Sequence, residues 1–298
     1  MSDNDNSIIF TDAMSGSTSA GLTGPGSQPA EVDGAELDIL QLPSGMDTYD
    51  APLLPEPEAV THLQPAVARL NQLQRLMRNY SVEGNNIQID LSDMDAHNKD
   101  LVDQVCGEGE VSILFGSHQE HRIQESVLAG IWRIQTLASN GQIVNDRLEV
   151  GPIPAMVKQV SFTGAQASIN ADLDNLPPGV LNAPSLVAEI NEKIETFQTT
   201  GEEHTINLTL LPQTEEDLGF LANCLGQGKC TVLSRGYGNC RVTSTNTQNV
   251  WWVQYFNSQD KNILNSLEIS TVPEVACAAA EDISDSTTRL YEILEIYQ

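Results

Sequence analysis

Basic residues are scarce in this chain. Of 298 residues, 14 are Lys or Arg against 41 Asp or Glu, a formal net charge of −27. None of the basic residues precedes Arg69, while residues 1–64 carry 11 acidic ones. Phosphate backbones and anionic lipid surfaces are held by basic patches, so nucleic acid and membrane surfaces are excluded as expected partners. Apolar runs are short, and none approaches the ~20 residues of a membrane-spanning helix. The N-terminus MSDNDNSIIF has neither a basic start nor a long apolar stretch, so no secretory signal is expected and the cytoplasm is the expected location. The five cysteines form no C-x-x-C pair, the pattern of reduced thiols in a reducing compartment. The phosphate-loop, dinucleotide, zinc-protease and nucleophile-elbow motifs are missing, so no residue is singled out as catalytic and an enzyme is not expected.

What the chain does have is an internal echo. VWWVQYFNS (250–258) answers IWRIQTLAS (131–139) at an offset of 119 residues. Extended without a gap from Ile87 to Met156, the same offset gives 12 identities in 70 positions. They include Trp132 with Trp251, Gly107 and Gly109 with Gly226 and Gly228, Arg122 with Arg241, Pro154 with Pro273, Ile87 with Ile206 and Leu91 with Leu210. Paired Trp, paired G-x-G and a paired Pro in one register point to a tandem duplication.

The pattern within each copy predicts α-β-α-β-β-β-β-α. A helix over 65–79 has Pro65 in its first turn and an apolar stripe of Val67, Leu70, Leu73, Leu76 and Met77; its counterpart follows Pro184. Strands are predicted at Ile87–Leu91 and Thr205–Leu210, then helices Asp95–Cys106 and Glu215–Leu225, each stopped by a Gly. Four short strands with tight turns follow in each copy and favour antiparallel pairing. Glu274–Tyr297 reads as one long helix with a possible break near Ser284. The expected fold class is therefore α+β, two homologous units with mainly antiparallel sheets related by a pseudo-twofold. Residues 1–64 form an acidic and largely disordered segment, 65–160 the first unit, 161–183 a linker and 184–298 the second unit.

Three groups of side chains invite a functional reading. Trp132, Trp251 and Trp252 are candidate partner anchors, since Trp is favoured at interface centres; Trp251 and Trp252 must point to opposite faces of one strand, so one of them could lie on a surface. Core packing is the plainer reading of all three. Arg122 and Arg241, equivalent in the two copies and directly following His121 and Cys240, are further candidates for partner contact. His118, His121 and Cys240 could converge on a metal if the twofold passed through their turn, because imidazole and thiolate suit a borderline ion; a Cys beside an Arg could also be a nucleophile, and an ordinary turn is the bland alternative.

Several long segments are similar to one family. GPGSQPAEVDGAELDILQLPSGMDTYDAPLLPEPE (24–58), QESVLAGIWRIQ (124–135), LSRGYGNCRVTST (233–245) and VWWVQYFNSQDKNILNSLEISTVPEVACAAAEDISDS (250–286) resemble the HupH/HyaF hydrogenase expression/formation proteins. The resemblance covers 24–298. It implies a cytoplasmic, non-catalytic accessory chaperone in [NiFe]-hydrogenase maturation, with no cofactor of its own. The implied partner is the hydrogenase small-subunit precursor, held during iron–sulfur assembly or before twin-arginine export, together with a second accessory protein. A metal or iron–sulfur scaffold in the same pathway is the alternative.

Overall fold

The computed structural model describes residues 54–116, 120–235 and 239–297, all within a unit spanning Gly45–Gln298. The acidic segment before Leu54, with its expected disorder, lies outside the described residues.

The chain enters as a short helix, α1 (Pro57–Val60), with Val60 buried, and continues as α2 (Gln64–Met77). Pro65 sits in the first turn of α2, and Val67, Leu70, Leu73 and Met77 are buried on one side; Leu76 falls off that stripe and is exposed. Strand β1 (Ile87–Asp90) leads to α3 (Ala96–Cys106), whose Asp95 cap accepts the Asn98 N–H at 2.9 Å. Gly107 ends α3 with φ 58°, a conformation that favours glycine. Four strands follow: β2 (Val111–Phe115), β3 (His121–Glu125), β4 (Ile131–Leu137) and β5 (Ile143–Val150), then α4 (Ala155–Val160).

The second half runs α5 (Ala183–Thr200), β6 (His204–Asn207), α6 (Glu215–Leu225), β7 (Gln227–Ser234), β8 (Asn239–Thr245), β9 (Val250–Phe256), β10 (Asn262–Ile269) and α7 (Ala280–Glu295). Helix α6 starts with a reciprocal capping box between Thr214 and Asp217 and stops at Gly226, φ 64°.

The strands form one ten-stranded sheet, not a sheet per unit, in the order β1-β5-β4-β3-β2-β7-β8-β9-β10-β6. Every ladder is antiparallel. The halves meet at β2 and β7, where Ile113 faces Val232, Val111 faces Ser234 and Phe115 faces Cys230. Ile113 and Val232 are 119 residues apart, so the ladder reads the same from either half. A local pseudo-twofold passes between these two residues.

One face of the sheet carries two separate cores over the outer strands. Helices α2, α3 and α7 cover Ile89, Ile131, Leu148 and Val150, while α5 and α6 cover Ile206, Val250, Leu267 and Ile269. The other face carries a single core that runs across both halves, from Trp132 and Ile134 through Ile113 and Val232 to Val253 and Trp251, closed by Val157 of α4 and Ala276.

Two further segments complete these helix-bearing cores. Ile283, Leu290 and Leu294 of α7 complete the first half's core. Ile169 and Val180, from the stretch between the halves, are buried in the second half's core. The Asn191 side chain brackets the backbone of Ile169 with bonds of 2.8 and 3.0 Å. Residues 161–183 therefore do more than connect.

Two expected elements come out differently. The C-terminal helix breaks at Cys277–Ala279 after a 3₁₀ turn, Glu274–Ala276, and runs straight through Ser284, because Ser286 and Ile283 face the core it covers. The strand expected over Thr205–Leu210 ends at Asn207 and becomes a 3₁₀ turn, Leu208–Leu210. The gapless offset also fails there. Val150 pairs with Ile87 and Ile269 with His204, so β1 and β6 correspond at 117 residues. Buried Leu91 then matches buried Leu208, while Leu210, its partner in the sequence register, is exposed. The two extra residues lie between Thr209 and Thr214. Ser92 and Thr209 mark the shared side: the Ser92 hydroxyl bonds the backbone N–H of Asp146, and the Thr209 hydroxyl that of Asn265.

Candidate functional site

Trp132 and Trp251 occupy matching places in the shared core, and both are 0% exposed. Trp132 Nε1 donates to Gly151 O at 2.9 Å; Trp251 lies edge-on to Phe162 at 5.1 Å. Neither can reach a partner without opening the core, so their reading as partner anchors is corrected to packing. Trp252 points to the other face and is half-buried, with its indole N–H donating to Asn265 Oδ1. In the first half the same places hold Arg133 and Asp146, whose guanidinium–carboxylate fork is nearly buried and also draws in Asp103 and Lys99. A neutral Trp–Asn pair thus stands where the other half has an ion-pair network.

Arg122 and Arg241 lie on the helix-bearing face, on the strands flanking the central pair. Arg122 is exposed; Arg241 is half-buried with its guanidinium 5.4 Å from the centre of the Phe256 ring. Between them run Ser112, Leu114 and Leu233, none of which belongs to either helix-covered core. Gln124 and Thr243 complete this half-exposed strip. Its location follows from the sheet: the helices sit over the outer strands and leave the central four less covered.

His121 and Cys240 do not converge. The twofold runs between β2 and β7 and not through the turn, so β3 and β8 are three strand spacings apart, roughly 14 Å. His121 lies in the row of Phe115 and Cys230, whereas Cys240 lies in the row of Ser234, four residues or about 13 Å along. His121 Nδ1 is 3.1 Å from Thr136 Oγ1, and burial, then the Arg147 charge, lowers the imidazole below its usual range. Burial pushes the Cys240 thiol up to about 11, the reverse of what a nucleophile needs. Cys106 and Cys230 are pushed up to about 12 and Cys277 to about 11, again by burial first. His118 lies outside the described residues. Among the described residues no group of three or more His, Cys, Asp or Glu side chains is placed to hold a metal.

Two loops that sequence reasoning did not single out stand out in the second half. Leu181 is 71% exposed, Leu210 80% and Leu211 38%. The loops are stitched together: Asn182 Nδ2 donates to Pro212 O at 2.6 Å, and Thr214 Oγ1 to Gly179 O at 2.9 Å. Buried Asp217 anchors both, accepting from the N–H groups of Leu181, Asn182 and Ala183 at 2.8–2.9 Å. Burial alone would raise that carboxyl, but these backbone donors and Thr214 outweigh it and hold it at about 2. The signal was present in LTLLPQ, where four residues separate Thr209 from Thr214 while two separate Ser92 from Asp95.

The family described as HupH hydrogenase expression protein, C-terminal conserved region, matches residues 63–168 and 180–297, one segment per half of the sheet. The chain belongs to the HupH hydrogenase expression protein family. The chain is 41% identical over 274 residues to the hydrogenase expression/formation protein HoxQ of Cupriavidus necator, covering 92% of this chain and 95% of that one. It is 44% identical over 272 residues to the hydrogenase expression/formation protein HupH of Rhodobacter capsulatus, covering 91% and 94%. With the hydrogenase-1 operon protein HyaF of Escherichia coli it shares 30% over 280 residues, covering 92% and 95%. No helix among the described residues is long and apolar enough to cross a membrane.

Proposed function

We propose that this chain is a non-catalytic accessory factor in [NiFe]-hydrogenase maturation, which holds the hydrogenase small-subunit precursor during iron–sulfur assembly or before twin-arginine export. The observation that carries the reading is the family membership, matched in both halves, with relatives named hydrogenase expression/formation proteins aligned over nearly their whole length. The chemistry of the fold agrees with binding over turnover. Cys106, Cys230 and Cys240 are buried, and burial raises each thiol; the central strip offers Leu114 and Leu233 with the polar Ser112, Gln124 and Thr243 between Arg122 and Arg241. We infer that two copies of one ancestral unit built this body, and that it works in the cytoplasm, alongside a second accessory protein. A metal-scaffold reading draws no support from His121 and Cys240, whose rows on the sheet are separate. In cells that lack this chain, hydrogenase activity should fall and unexported small-subunit precursor should accumulate; normal levels of mature small subunit would contradict the proposal.

A further inference from the structure

Single exposed leucines are ordinary on protein surfaces, but grouped apolar side chains on a monomer commonly mark a contact. Leu181, Leu210 and Leu211 are carried on two loops held together by the Asn182–Pro212 and Thr214–Gly179 bonds. Two of them are more than two-thirds exposed. The fold does not require Leu210 and Leu211. In the first half the same connection is two residues shorter: Asp93 pairs with Arg69 at 3.1 Å, and Met94 packs against the core. The extra length falls where the leucines are presented.

The surroundings decide what could cover them. The stretch 176–217 that carries both loops has Lys193 as its one Lys or Arg, and that Lys pairs with Glu192. Glu215 and Glu216 lead α6 directly after the leucine loop, and Glu216 packs over Gly179, two residues from Leu181. The chain's own first 53 residues hold nine acidic residues and no Lys or Arg, so their sequence offers no cation to meet these carboxylates. A second copy brings a net −27 of its own. Opposite charge leaves a basic partner.

We propose that the surface carrying Leu181, Leu210 and Leu211 docks a polypeptide segment whose apolar side chains are flanked by Lys or Arg. The inference rests on the proposed function only in taking the occupant to be a polypeptide. The apolar part covers the leucines and the cations meet Glu215 and Glu216.

The test is an anisotropy titration of the full chain with two labelled synthetic peptides, sharing one leucine-rich centre and flanked by either Arg pairs or Glu pairs. The Arg-flanked peptide should bind at least tenfold tighter than the Glu-flanked one and weaken with salt. Leu210→Ser/Leu211→Ser, and separately Leu181→Ser, should weaken it at least tenfold with an unchanged melting temperature. Failure of the wild-type chain to bind, equal affinity for both peptides, or wild-type affinity in the leucine variants overturns the proposal. So does a concentration-dependent dimer, seen by sedimentation, that the leucine variants abolish. Hydrogenase maturation in cells is a separate readout, so failure of the proposed function is distinguishable from failure of this surface.

Discussion

Ile113 and Val232 face each other across the β2–β7 ladder and are also the equivalent residues of the two halves. Both are buried in the core that spans the sheet. The halves are therefore joined by packed apolar side chains as well as by backbone bonds, and they should unfold together. Ile113→Ala should cost about 2–4 kcal/mol. Trp132→Phe and Trp251→Phe leave a fluorescent reporter in either half, together with Trp252. Their urea transitions should each be single and coincide with far-UV circular dichroism; a resolved second transition would contradict this.

The two core tryptophans should not be equally expensive to replace. Trp132 Nε1 bonds Gly151 O, whereas Trp251 Nε1 is buried and has no hydrogen-bond partner among the described residues. Removing the first N–H orphans a carbonyl; removing the second relieves an orphan donor. Trp132→Phe should therefore destabilise by about 1–2 kcal/mol more than Trp251→Phe in chemical denaturation.

Gly109 and Gly228 are needed for close approach. A Cβ on Gly109 would sit 2.3 Å from Ser126 O, and one on Gly228 2.3 Å from Ser244 Oγ and 2.6 Å from Thr245 O. Either glycine to Ala should lower the melting temperature by several degrees. Gly219, inside α6 with open space around it, gives the opposite sign: Gly219→Ala should stabilise by about 0.5–1 kcal/mol.

Glu125 makes stability pH-dependent. Burial pushes its carboxyl up to about 7 from 4.5; the Gly130 N–H opposes this, and Glu110 and Asp282 add to it. The folded state thus keeps a proton that the unfolded chain gives up. Its contribution is fully present below pH 4.5 and is lost as pH rises through 7, on the order of 3 kcal/mol. Glu125→Gln, which can still accept from Gly130, should be more stable than wild type at pH 8 and lack that loss. Parallel stability–pH curves for the two proteins would contradict the assignment.

Much of the local structure was legible. G-x-G after an apolar helix stripe fixed where α3 and α6 stop, because only a glycine readily takes the φ found at Gly107 and Gly226. Short runs between tight turns marked strands β2 to β5 and β7 to β10. What was not legible is non-local. Nothing within Val111–Phe115 says that β7 is its neighbour, so one continuous sheet could not be told from two. The Leu91–Leu210 identity misled because a two-residue insertion put a second leucine into register with an exposed position. Trp251 and Trp252 share a strand, and only the packing of Phe162 and Asn265 against them tells which is sealed. The packing of α7 on the first half and of Ile169 on the second leaves no mark in periodicity at all.

The most direct measurement is native mass spectrometry of the purified chain mixed with purified hydrogenase small-subunit precursor. The account predicts a stable complex of the intact chain with intact precursor, both recovered with unchanged masses after dissociation. Two unassociated proteins, or a precursor chemically altered by the encounter, would contradict it.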